Sequence, residues 1–177
     1  AVLLGNSPEG FDYAPSHSIM TCCIAVRGGL PGIAGMRGAN YWWQDGCEVE
    51  YHDPDVKAPP RMLFIGSPTV NGFGRTDGER DDALVIYCPG NYLQEKDIYE
   101  KGPAAVAAFK EKLAGDIIGI LERNVFPGIA VRLRFAEIVS SVDCRAQTLG
   151  EMGNAYGRRL TVEEILKGAV REESCPP

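Results

Sequence analysis

Histidine is almost missing from this 177-residue chain, which holds only His17 and His52. With so few imidazoles, and no C-x-x-C among its six cysteines, the usual zinc-ligand spacings fail. Positive charge is in deficit as well: 18 Lys and Arg stand against 24 Asp and Glu, for a formal net charge of -6. No basic stripe is present, which argues against a general nucleic-acid binder, because counterion release needs clustered cations. No window approaches the ~18 consecutive apolar residues of a membrane-spanning helix. The longest greasy run, Ile117-Ile118-Gly119-Ile120-Leu121, is bounded by Asp116 and Glu122. There is no Asn-x-Ser/Thr sequon, so a secreted glycoprotein is not favoured. G-x-G-x-x-G and G-x-S-x-G are absent too, leaving neither a dinucleotide cradle nor a nucleophile elbow. The chain opens at Ala1 without Met or a charged segment leading an apolar stretch, and the expectation is that any targeting segment has been removed or was never included.

What remains is a globular composition, 45% hydrophobic and 24% charged, which can bury a core and excludes a disordered chain. The length is that of one domain. Residues 1–17 read as a surface lead-in, 18–170 as a single domain and 171–177 as a tail. Cys22, Cys23, Cys47, Cys88, Cys144 and Cys175 read as mostly reduced thiols packing as small hydrophobes, since a chain of this size does not depend on a disulfide framework.

Periodicity orders the chain into strands, a long helix, a strand and further helices. Residues 18–27 are β-rich and apolar on both alternations, as in a strand buried on both faces. Gly29, Gly32, Gly35 and Gly38 then recur every third residue, which reads as a loop because their spacing does not build a phosphate site. Strands follow at 40–44, 62–65 and 83–88, separated by a proline-bearing connection over 45–60 and by turn chemistry to Asp82. Pro103 opens a helix to about Val125, with Val106, Phe109, Leu113, Ile117, Ile120 and Leu121 on one stripe. Val131, Leu133 and Phe135 alternate with Arg132, Arg134 and Ala136 in a half-exposed strand extending to Val139. A short helix over 143–149 follows, and Thr161-Val162-Glu163-Glu164 is a capping box for a last one. The fold class is α+β: a mixed or mostly antiparallel sheet with one long amphipathic helix and shorter C-terminal helices.

Few residues point to chemistry. His17-Ser18 lacks the surroundings of a nucleophile, His52-Asp53-x-Asp55 has too few ordered oxygen ligands for a hard metal, and the pairs Asp81-Asp82 and Glu163-Glu164 belong to a turn and a helix start. No catalytic and no metal-binding residue is assigned. Tyr41-Trp42-Trp43 is more informative, because adjacent residues in a strand project to opposite faces. One tryptophan ring belongs to the core; the other meets a partner or an apolar ligand such as a polyene.

The motif order Asn40-Tyr41-Trp42-Trp43, Pro60-Arg61-Met62-Leu63-Phe64-Ile65-Gly66-Ser67-Pro68-Thr69, 83–89, Phe126-Pro127-Gly128 and Gly153-Asn154-Ala155-Tyr156-Gly157 resembles the middle, substrate-side portion of the retinol saturase and carotenoid isomerase flavoproteins, relatives of the phytoene desaturases. The resemblance spans most of residues 18–160. It implies a polyene-sized apolar cleft, with the glycine-tyrosine-glycine neighbourhood leading towards the flavin. The family's FAD-binding segments have no counterpart in this sequence, and without flavin none of its residues carries hydride transfer.

The resemblance therefore implies a non-catalytic binding or assembly subunit, with other protein subunits as partners, no cofactor held by this chain alone, and carotenoid or FAD reaching it through a partner chain. A peripheral place in a plastid photosystem or other pigment-protein complex is its sharpest form; a cytoplasmic location is the alternative. The alternative activity is one chain of a split FAD-dependent polyene oxidoreductase. A free-standing lipid- or carotenoid-binding module is a third reading. Tyr41, Trp42, Trp43, Tyr156 and Gly157 are the candidates for ligand or partner contact.

Overall fold

A computed structural model describes residues 16–28, 30–36, 38–46, 54–69 and 81–154. His52, Tyr156, Gly157 and the capping box at 161–164 lie outside the described residues.

The fold is α+β, built on a five-stranded antiparallel sheet in the order β2-β3-β4-β1-β5. Its strands are β1 (Ser18–Arg27), β2 (Tyr41–Gln44), β3 (Met62–Gly66), β4 (Asp81–Gly90) and β5 (Leu133–Val139). The helices are α1 (Pro31–Ala34), α2 (Tyr92–Glu100), α3 (Pro103–Asn124) and α4 (Ser141–Thr148). β1 pairs with β4 along its whole length, from Ser18 opposite Gly90 to Arg27 opposite Asp81. β5 takes the other side, from Val26 opposite Leu133 to Thr21 opposite Val139.

One face of the sheet is core. Met20, Cys22, Ile24 and Val26 of β1, Leu84, Ile86 and Cys88 of β4, and Leu63 and Ile65 of β3 are buried there. They form one cluster with Phe109, Leu113, Ile117, Ile120 and Leu121 of α3. Each such aliphatic side chain taken out of water contributes about 1.5–3 kcal/mol before entropy is counted. Pro103 starts α3 behind Gly102, whose φ of 98° suits glycine. At the other end Glu122 accepts hydrogen bonds from the N–H groups of Gly128 (2.8 Å) and Ala130 (2.9 Å), fixing the reversal that buries Phe126 and Ile129.

Several expectations are corrected. The glycine-rich stretch contains a helical turn, α1, seated so closely on Phe126 that a Cβ at Gly32 would lie 2.8 Å from the ring. At Gly32, then, the spacing of glycines serves close packing. Asp81 and Asp82 begin β4 instead of closing a turn, and Asp81 meets Arg134 at 3.5 Å. β1 is buried on one face and only half-buried on the other, because helices cover a single side of the sheet. β5 begins two residues later than the alternation implied, since Ala130–Arg132 form a 3-10 turn that leaves Val131 90% exposed. A bulge opposite Ala25 and Val26 then shifts the register, so that Ala136 and Ile138 face the core side and Phe135 the open side. Helix α2 has no counterpart in the sequence reading.

Ile117→Ala is expected to cost about 2–5 kcal/mol in urea unfolding, because Ile117 is fully enclosed between α3 and the sheet. Leu93→Ala, on the exposed side of α2, is expected to stay within about 0.5 kcal/mol of the parent.

Candidate functional site

The sheet face left uncovered by the described helices carries the feature least explained by folding alone. Alternation sends Trp42 outward while Tyr41 and Trp43 turn to the core side. Tyr41 stacks on Phe126, with ring centroids 6.0 Å apart. Trp42 is 65% exposed and opposes Phe64 on β3, which opposes Tyr87 on β4. The three rings make a continuous ladder: Trp42 meets Phe64 edge to face at 4.8 Å, and Phe64 meets Tyr87 at 5.9 Å. Such pairs contribute about 0.5–1.5 kcal/mol beyond area burial. They do not account for leaving an indole in water.

Thr21 and Val139 continue the ladder's row across β1 and β5. Beside it lie short side chains: Val85 opposite Cys23, and Ala83 opposite Ala25, with Phe135 beyond at 49% exposure. The surface is thus a raised aromatic edge next to a low floor. Glu137, opposite Cys23, is the charge within it, and Arg27 and Asp81 face one another at one end. Its register brings Phe64, Tyr87 and Phe135 to Trp42's side of the sheet, none of which the sequence reading singled out. The usable signal was the strand pairing of 40–44 with 62–66, which places Phe64 directly across from Trp42. Tyr156 and Gly157 are not placed.

A second cluster joins α2, α3 and α4. Asp143 accepts from the Tyr99 hydroxyl at 2.7 Å, from the Ser140 N–H at 2.9 Å and from the Lys110 ammonium at 2.7 Å. Ser140 Oγ lies 2.6 Å from Tyr99 Oη and in turn accepts from the Asp143 N–H, completing a capping box for α4. Burial works against the Asp143 carboxylate, but Lys110, the Ser140 N–H and Tyr99 outweigh it and hold its pKa below the ordinary value. Lys110 is correspondingly raised. An ammonium held protonated and a serine spent on a helix cap make a clamp, with no free general base beside the hydroxyl.

The thiols of β1 and β4 are equally quiet. Cys22, Cys23, Cys88 and Cys144 are unpaired. Burial pushes Cys22 up to about 12 and raises Cys88 and Cys23 as well, so nucleophilic thiolate is suppressed. Ser18 Oγ donates to the Met152 carbonyl at 2.8 Å, tying the start of β1 to the turn after α4. Among the described residues no group of three or more His, Cys, Asp and Glu is arranged to hold a metal ion, and no helix is long and apolar enough to cross a membrane.

No family model matches the chain, and no curated protein matches it.

Iodide is expected to quench Trp42 and spare Trp43. Trp42→Phe should remove most of the quenching and move the emission to shorter wavelength, whereas Trp43→Phe should retain it; equal quenching of both variants would mean that the aromatic ladder is covered. Asp143 adds an acid-side dependence: stability it contributes is present above its unfolded pKa of 3.8 and lost as pH falls through the lower folded value. Asp143→Asn should therefore be less stable at neutral pH and show a shallower acid loss, measured by denaturant melts across the acid range.

Proposed function

We propose that this chain is a binding and assembly subunit whose working surface is the sheet face around Trp42, Phe64 and Tyr87 that the described helices leave uncovered, with protein subunits of a larger complex as its partners. The observation that carries the reading is the exposed aromatic ladder beside a floor of Ala, Cys and Val: large rings ordered by cross-strand packing are what interfaces use as anchors. The polar clusters support it from the other side, since Asp143, Lys110, Tyr99 and Ser140 are occupied in holding helices together.

The resemblance to the substrate-side portion of carotenoid-handling flavoproteins gives the proposal its sharper form. A polyene is long, flat and apolar, and a floor of small side chains bordered by aromatic rings suits it at the contact with a partner chain. The corresponding setting is a plastid pigment-protein complex, with this chain peripheral to the membrane. In the split-enzyme alternative the same face would meet a separate FAD-binding chain.

Native purification from the source, with an absorption spectrum and mass spectrometry of every co-migrating chain, separates these. Carotenoid or chlorophyll bands with several partner chains and no flavin are the expected result. Flavin with a dinucleotide-binding partner would replace the proposal by the split enzyme, and a colourless lone monomer would remove both. Within a recovered complex, Trp42→Ala should weaken retention at least about tenfold, as loss of an aromatic anchor does.

A further inference from the structure

Glu95 belongs to the first turn of α2 and has 0% of its surface exposed. One carboxyl oxygen accepts from the Asn91 N–H at 3.0 Å and the other from the Ser141 N–H at 2.7 Å. Asn91 caps α2, and Ser141 is the first residue of α4, so one carboxyl group satisfies the starts of two helices. The site is tight: a Cβ on Gly90 would lie 2.8 Å from Glu95 Oε1. Ser141 Oγ is buried in the same place, against the Glu95 carboxyl group.

No cation compensates Glu95 among the described residues. From α4, Asp143 adds negative charge, and Arg145 is turned to Tyr92, donating to its hydroxyl at 3.0 Å. From α3, Lys110 is committed to Asp143. From β4 the neighbour is the thiol of Cys88, and from β1 Met20 packs against Gly90, with the Cys22 thiol near Cys88. A buried carboxylate is normally neutralised by a partner or by a proton. Here the proton is what remains.

We propose that Glu95 is a proton-operated latch: protonated, it holds α4 against α2; ionised, it releases α4 together with the turn over Glu151–Gly153. That turn supplies the Met152 carbonyl bound by Ser18 and leads to Asn154, which bridges Ser18. Release therefore uncovers the edge of β1 ahead of Thr21, where β5 has ended.

The electrostatics agree with the geometry. Burial raises the Glu95 pKa from 4.5 to about 7; the Ser141 hydroxyl and the N–H groups of Ser141 and Asn91 pull it down without cancelling that rise, and Asp143 pushes it up. A raised folded pKa contributes stability that is complete below 4.5 and is lost as pH rises through about 7.

Amide hydrogen exchange on the full chain, corrected for intrinsic rates, tests the latch. Protection of the α4 amides should fall on the order of tenfold between about pH 5.5 and about pH 8, relative to the interior of α3, and Glu95→Gln should abolish that step. A wild-type α4 with no step, or a step that persists in Glu95→Gln, overturns the proposal. Should Glu95→Gln not fold, carboxyl-carbon NMR of the wild-type chain decides. A Glu95 midpoint near 7 that the Ser141 amide shift follows supports the latch, and one near the ordinary 4.5 refutes it.

Discussion

β1 can satisfy all its backbone groups only by being paired on both sides, and α3 can cover only one of its two faces. β4 matches it over ten residues, and β5 completes most of the opposite edge. Almost everything else follows from that geometry. The apolar stripe of α3 has one place to go, onto Cys22, Ile24 and Ile86, and the reversal at Phe126 and Ile129 seals the end of that contact. The second face of the same strand is left with Thr21, Cys23 and Ala25, residues small enough to tolerate water and flat enough to accept a neighbour. Among the described residues the sheet is thus covered on one side, and the residues that fold it are separated from those of its other face.

Two carboxyl groups at one helix junction illustrate how surroundings decide charge. Asp143 has a cation, a phenol and a backbone N–H around it and stays ionised; Glu95 has backbone N–H groups and the Ser141 hydroxyl but no cation, sits beside Asp143 and is driven towards its neutral form by burial. Both are structural ties between helices. They differ in what removes them, acid for one and base for the other, so the α2–α3–α4 junction is most secure in mildly acidic solution.

What the sequence made legible was whatever carried a strong period. α3 was readable from Phe109 to Leu121 because its stripe is unbroken, and β1, β3 and the antiparallel class followed from short apolar runs bounded by Gly and Pro. α2 was not, because Tyr92-Leu93-Gln94-Glu95-Lys96-Asp97-Ile98 buries only Tyr92, Glu95 and Ile98, and a buried glutamate breaks the apolar pattern that marks a helix. The face of β5 was misread because a bulge against Ala25 and Val26 offsets the alternation. For the candidate surface, adjacency in Tyr41-Trp42-Trp43 guaranteed one ring on each side, but assigning Trp42 to the open side required its pairing with Phe64, a tertiary fact.

The arrangement of β1 also dictates when the sheet can exist. Its two partners begin at Asp81 and Leu133, so β1 has no neighbour on one side until β4 follows it, just ahead of α2, and none on the other until α3 is complete. α2 and α3 need only local contacts and can form while β1 still waits for β5. The nascent chain therefore carries Ile19-Met20-Thr21-Cys22-Cys23-Ile24-Ala25-Val26 as an unpaired, uncharged, β-prone segment until β4 has been made, a stretch that invites either a chaperone or the edge of another sheet.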